Sequence, residues 1–260
     1  MTRNFWPNAH ALITGGGSGI GAAAARALAE VGVRVSIAGR RPDALAETAA
    51  SIGARAGAVL PVDVTDEIAV TEGIKRIEAE AGPIDILVNN AGKALSAPFE
   101  KTDAALWSDM LASNLSSVFL VTHAVLPGMA QRGRGRVINV ASTAGLTGYA
   151  YVSAYVAAKH GVVGLSRALA LEYARRGVTV NAVCPGYTDT PLVAEAAANI
   201  VAKTGRSEAE ARAALAKVNP MQRLVTPEEV ADTILWLASS SASSINGQAI
   251  AVAGGEVFTG

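Results

Sequence analysis

The feature that most constrains this chain is a short apolar run that stops on a glycine cluster and restarts as an alanine-rich run. HALIT at 10–14 is followed by GGGSGIG at 15–21 and then by AAAARALAEV at 22–31. Five apolar-dominated residues ended by glycines read as a buried strand, and the alanine-rich run reads as a helix. The alternation then repeats. VRVSIAG (33–39), AGAVLPVDV (56–64), IDILVNN (84–90), RVINVAS (136–142), VTVNAVCP (178–185) and QAIAVAGG (248–255) read as further strands. Helical stretches separate them, among them 67–82, a long run over 104–131, another over 153–176, and 226–239, which opens with a Thr cap and a Pro in its first turn. Strands this short and this continuously apolar are buried on both faces, as in a parallel sheet covered by helices. The expected fold is therefore α/β: a doubly wound, Rossmann-like, seven-stranded parallel sheet in one domain over 1–260. The one stretch that does not fit the alternation is 187–226, which reads as a long irregular excursion, and such excursions are usually functional.

Composition removes several classes of function. The 260 residues hold 22 Lys plus Arg and 22 Asp plus Glu, so no net field draws the chain to nucleic acid or to an anionic membrane. The basic cluster Arg132, Arg134 and Arg136 is interleaved with glycine and reads as a turn entering a strand. The longest uncharged stretch, 4–25, is broken by Pro7 and the glycine cluster, so no membrane span is expected there. The start of the chain lacks the pattern of a signal peptide. Cys184 is the one cysteine, and no Cys/His spacing suits a metal. A reducing, cytoplasmic setting without a metal is the expectation. His10, His123 and His160 have no acid partner or ligand spacing in sequence and read as structural, as does Cys184.

Glycines between a strand and a helix start suit a phosphate-bearing ligand. Gly15 permits the tight turn, Gly19 and Gly21 keep side-chain carbons out of the way, and the helix N-terminus offers unpaired N–H groups. At the end of the second strand, AGRRPD (38–43) has Gly39 where an acid would hold a ribose hydroxyl, followed by Arg40 and Arg41. A guanidinium binds a 2′-phosphate well. NADP(H) is favoured, with NAD(H) still open. In SAYVAAKHGVVG (153–164), Tyr155 and Lys159 stand four apart and share a helix face. Such a pair is either packing or a proton donor beside a cation.

These motifs together resemble the short-chain dehydrogenase/reductase family over essentially the whole chain. TGGGSGIG (14–21), DVTD (63–66), NNAG (89–92), Asn114 in SNLSSVF, Ser142, Tyr155 with Lys159, and CPGYTDTP (184–191) follow in the family's order. The resemblance implies strand order 3-2-1-4-5-6-7, a homotetramer, and interconversion of a ketone and a secondary alcohol on a small-molecule substrate. It implies catalytic roles for Ser142, Tyr155, Lys159 and Asn114. It implies cofactor contacts by Gly15, Ser18, Gly19, Ile20, Gly21, Arg40, Asp63, Val64, Asn90, Ala91, Gly92, Tyr155, Lys159, Pro185, Gly186, Thr188 and Thr190. Tyr155 is then the proton donor, its pKa drawn from near 10 toward 7 by the Lys159 ammonium. Ser142 holds the substrate oxygen, and Asn114 continues a proton path from Lys159.

The substrate pocket is expected to be walled by Ala94, Ala144, Tyr149, Val152, Tyr187 and Leu192, with Leu146 and Val193 nearby. The excursion and the segment around Tyr155 are similar to those of 3-hydroxybutyrate dehydrogenases, but Ala144 and Val152 stand where those enzymes place a His and a Lys. An unpaired carboxylate in such a pocket is costly. STAG (142–145) and VNAVCPG (180–186) are also similar to acyl and polyketide ketoreductases. An apolar ketone or a 3-oxoacyl thioester is therefore the expected substrate. An NAD-linked catabolic alcohol or hydroxy acid dehydrogenase, or a non-catalytic cofactor-binding scaffold, are the alternatives.

Overall fold

The computed structural model describes residues 4–258. Residues 1–3 and 259–260, which belong to the expected single domain, and the first of which begin the segment tested for a signal peptide, lie outside the described residues. Strands β1 (His10–Thr14), β2 (Arg34–Gly39), β3 (Ala56–Pro61), β4 (Ile86–Asn89), β5 (Gly135–Val140), β6 (Val178–Pro185) and β7 (Ala249–Val252) form one seven-stranded sheet. Its order is β3-β2-β1-β4-β5-β6-β7, and every neighbouring pair is parallel. The chain runs outward from β1 to β3 and then returns to β4 beside β1. The crevice at this reversal, at the carboxyl ends of the strands, is where such sheets bind ligands.

Both faces of the sheet are covered. On one face Ala11 and Ile13 of β1 pack with α1 (Gly19–Glu30), α2 (Pro42–Ile52) and α9 (Pro227–Ala238), through Ala24, Leu28, Leu45 and Ile234. On the other, Leu12 packs with α3 (Glu67–Ala81) and α5 (Ser117–Arg132), through Ile74, Ile77, Val121 and Val125. Alternate residues of β1 thus serve opposite faces. The central strands are fully buried, as their apolar runs require, whereas the edge strand β7 is only half-buried. A ladder of buried polar groups ties the centre. Asn89 donates to Thr122 Oγ1 at 2.8 Å and to Asn139 Oδ1 at 2.8 Å, and Asn139 donates to Ser166 Oγ at 2.9 Å. Asn89 and Asn139 are register partners, so these bonds fix β4 against β5.

Three expectations are corrected. The segment 187–226 is not irregular: it contains α7 (Pro191–Thr204) and α8 (Glu208–Ala216). Ser207 and Glu210 form a reciprocal cap at the start of α8, a signal present in the sequence. The helix expected over 104–131 is α4 (Ala104–Leu111) and α5 joined by one π turn, Ala112–Ser116. That whole run, Ala104–Arg132, is long and apolar enough to cross a membrane by composition. Here Met110, Val118, Val125 and Met129 are buried instead in the protein. Several strands are shorter than read: β3 ends at Pro61, β4 spans four residues, and β5 ends at Val140, two residues before Ser142. The Arg132–Arg136 turn enters β5 as expected. Asp85, 1% exposed, pairs with Arg134 at 3.0 Å, and the Arg136 guanidinium stacks over Trp6 at 4.8 Å. Buried His10 joins Ser36 Oγ and the Gly82 carbonyl, each at 2.8 Å, and burial holds its pKa below the usual value.

Candidate active site

The end of β1 is held by the start of the segment after β4. Thr14 Oγ1 accepts the N–H groups of Asn90 and Ala91 at 3.0 and 3.1 Å, while Asn90 Nδ2 donates to the carbonyls of Thr14 and Gly15, both at 3.1 Å. Gly15 has φ +64°, a left-handed turn that favours glycine. Gly21 has a packing task as well. A side-chain carbon there would lie 2.3 Å from the Gly15 carbonyl oxygen and 2.6 Å from Asn90 Nδ2, so its absence lets α1 approach β1. Ile20 packs on the core below, and Gly19 abuts Thr190, which caps α7.

Ser18 is the N-cap of α1, yet its hydroxyl makes no cap bond. It receives a 2.6 Å hydrogen bond from the Arg41 guanidinium. A cation therefore stands against a helix start whose first N–H groups have no partner within the helix. This arrangement fits a phosphate-bearing group. Arg41, rather than Arg40, makes that contact. Spacing alone does not separate two adjacent arginines. Arg40 lies near Asp63, whose carboxyl is held below the usual range by hydrogen bonds from Thr65 and, to a smaller degree, by Arg40. Val64 is buried beside it.

Ser142 follows β5 and caps the turn Thr143–Gly145, its Oγ accepting from Ala144 N at 3.1 Å. The Ser142 side chain also acts on the Tyr155 phenol, lowering its pKa slightly against the larger effect of burial. Tyr155 and Lys159 lie in the first turns of α6 (Ser153–Tyr173), and Lys159 Nζ is 5.6 Å from the Tyr155 ring centre. Lys159 is 4% exposed and donates to the Val140 carbonyl at 2.9 Å. Asn114 lies in the π turn, fully buried, donating to the Met110 carbonyl at 3.0 Å and accepting from Lys93 N at 3.1 Å. Gly92 separates the two: a side-chain carbon on it would lie 2.7 Å from Asn114 Oδ1 and 3.8 Å from Lys159 Nζ. The structure thus gathers Ser142, Tyr155, Lys159, Asn114, Ala91 and Gly92 at the carboxyl edge of β4 and β5.

The electrostatics differ from the expectation that Lys159 draws the phenol toward neutrality. Burial pushes the Tyr155 phenol up to about 12, against a smaller lowering by the Ser142 side chain. Burial likewise pushes Lys159 down to about 8. In the free protein the ammonium gives up its proton before the phenol does. The pair is therefore poised as a protonated phenol beside a cation at neutral pH. Forming phenolate at pH 7 needs about 7 kcal/mol of help, at 1.36 kcal/mol per pKa unit.

Of the residues expected to wall the pocket, Ala94, Val152 and Tyr187 are half-buried, Leu192 is exposed, and Ala144 is buried within the turn after Ser142, while Tyr187 also packs on α7 and α8. Val193 does not face the pocket; it packs with Ala197, Ala211 and Leu215 between α7 and α8. Tyr149 is not a free hydroxyl. It bonds Thr143 Oγ1 at 2.8 Å and the Glu256 carboxylate. Glu256 has no sequence signal, because it follows the last strand and only the fold brings it here. Pro185 closes β6, Gly186 N donates to Val252 O at 3.1 Å, and Thr188 bridges to Val225. Cys184 is buried against the Ser142 backbone and near Lys159, and burial raises its thiol to about 11.

An open, doubly wound parallel sheet with a glycine turn at its point of reversal is the fold of dinucleotide-dependent oxidoreductases. The chain belongs to the short-chain dehydrogenase family, whose profile matches residues 9–219. It is 43% identical over 248 residues to the cis-4-hydroxycyclohexanecarboxylate dehydrogenase of Sinomonas cyclohexanicum, covering 94% of this chain and 95% of that one. It is 39% identical over 251 residues to an acetoacetyl-CoA reductase of Rhizobium meliloti, covering 95% and 98%. A variant of actinorhodin polyketide ketoreductase, solved with NADPH, superposes with a TM-score of 0.92 at 37% identity, covering 96% and 97%. The chain is an oxidoreductase of this family.

Proposed function

We propose that the protein reduces an apolar ketone or a 3-oxoacyl thioester to the secondary alcohol, with NADPH as the favoured reductant. The observation that carries this reading is the Tyr155 phenol on one helix face with Lys159, whose Nζ is 5.6 Å from the ring centre, beside Ser142 at the carboxyl end of β5. The glycine turn, the α1 N-terminus and Arg41 would hold the cofactor's phosphates, with Arg40, Asp63, Val64 and Asn90 around the adenosine end. Lys159, Ala91, Gly92, Pro185, Gly186, Thr188 and Thr190 would line its nicotinamide half. A reduced nicotinamide bound there supplies the hydride that the carbonyl carbon accepts. Ser142 holds the carbonyl oxygen by hydrogen bonding. Tyr155 gives that oxygen its phenolic proton, and Lys159 stabilises the phenolate left behind. A phenol held near 12 by burial carries its proton at neutral pH and can donate it. Asn114, fixed by its bonds to Met110 and Lys93, would continue the proton path from Lys159.

Loss of absorbance at 340 nm with NADPH and a panel of cyclic ketones and 3-oxoacyl thioesters tests the assignment; no turnover with any of them refutes it. The similarity to a cyclohexanecarboxylate dehydrogenase favours a second reading, NAD-linked oxidation of an alcohol, which the cofactor comparison separates. Arg41→Asp should lower the NADPH-to-NADH ratio of kcat/KM by about 10- to 100-fold, the worth of one or two charge-assisted hydrogen bonds. Arg40→Asp should lower it less, since Arg40 makes no contact with the helix start. An unchanged ratio in both variants would defeat the preference for NADPH. On the same reading the protein is a cytoplasmic homotetramer. The exposed Trp107, Phe119 and Leu171 on α4, α5 and α6 supply apolar surface for such assembly.

A further inference from the structure

The carboxylate of Glu256 is a charged group near the reacting residues that the reaction just described does not use. Strand β7 ends at Val252, and Gly254 and Gly255, with φ +60° and +92°, turn the chain so that Glu256 faces the segment after β6. One carboxylate oxygen is bonded by the Tyr149 hydroxyl, which is itself joined to Thr143, the neighbour of Ser142. The other, Oε2, is buried and has no hydrogen-bond partner. It lies so close to Gly186 that a side-chain carbon there would be 2.6 Å away. Among the described residues no cation pairs with Glu256. A half-satisfied buried carboxylate is costly to keep. Burial raises the phenols of Tyr149 and Tyr187, and Glu256 raises both further.

We propose that Glu256 is a specificity-determining residue that makes the substrate chamber negative and restricts it to uncharged ketones, admitting an ester or thioester and rejecting the corresponding free acid. The proposal rests on the ketone-reductase reading and sharpens it. Ala144 and Val152 offer no cation to a substrate carboxylate, and Glu256 opposes one. Like charges brought together in a desolvated site are strongly unfavourable, so the discrimination works by exclusion as well as by fit.

The test compares a 3-oxo acid with its methyl ester on the full-length protein. In the parent, kcat/KM for the ester should exceed that for the acid by about 100-fold or more. Glu256→Gln should shrink that ratio by about tenfold or more, chiefly by raising activity on the acid. Glu256→Met serves as a second variant of similar length should the first fail to fold. Tyr149→Phe removes the anchor and keeps the charge, and should leave the ratio within about threefold of the parent. A parallel calorimetric titration with the 3-hydroxy acid and its ester reads the same preference without turnover. If the parent reduces neither compound, the reductase reading fails, and the titration still decides the role of Glu256. Equal affinity for acid and ester in the parent, no binding of either, or an unchanged ratio in the folded variants overturns the proposal.

Discussion

Tyr155→Phe should lower kcat for ketone reduction by about 10²–10⁴-fold, the usual worth of a positioned proton donor. The substitution removes one oxygen and keeps the ring, so the packing of α6 against the turn after Ser142 is preserved. Binding of NADPH, followed by quenching of protein fluorescence or by titration calorimetry, should change by less than about threefold. The two readouts together separate loss of the proton donor from loss of the fold. If the variant turns over at the parent rate, the phenol is not the acid and the proposed chemistry falls.

Lys159→Met should also cost about two orders of magnitude or more in kcat, and it should change the pH dependence as well. The sign follows from the lowered pKa of the parent residue. Lys159 is charged below about 8 and neutral above it. At effective dielectric constants near 20, a unit charge 5.6 Å from the ring contributes about 3 kcal/mol, or about two pKa units, toward phenolate. In the parent, kcat/KM for the cofactor in ketone reduction should be level from about pH 6 to pH 8 and decline above about 8 as the ammonium is lost. In Lys159→Met the profile should lie lower and show no break near 8. A break that persists in the variant would assign it to another group.

Much of this arrangement was legible in the sequence, for identifiable reasons. Sheet membership follows from local apolar runs such as HALIT and VTVNAVCP, which need no long-range information to be read. The glycine turn is legible because the requirement at Gly15 is one of backbone conformation. The packing role of Gly21 is not legible, because one of the groups its missing side chain avoids is Asn90, 69 positions away in the chain and adjacent only after folding. The phenol pKa in the free protein is hard to read from sequence for a related reason. The pairing of Tyr155 with Lys159 is visible in a spacing of four, but the desolvation that outweighs it is produced by residues from other strands. Burial also lowers Lys159 itself, so the expected helper is weakened by the environment it shares. Glu256 left no trace at all: a single acid after the last strand has no periodicity, and its neighbours Tyr149 and Gly186 are distant in sequence. The helices α7 and α8 were missed although Ser207 and Glu210 advertise a helix start, because the length of the segment was given more weight than its caps.

Helices α7 and α8 meet through Val193, Ala197, Ala211 and Leu215, a small apolar nucleus separate from the two that clothe the sheet. They join the rest through the Thr188–Val225 bridge, the contact of Thr190 with Gly19 and the packing of Tyr187 and Leu224. Most of the surface of this two-helix cassette thus lies outside the framework that holds Ser142, Tyr155 and Lys159. Such a division lets one scaffold acquire new molecular clientele by rewriting a short insert while its reaction centre stays constant.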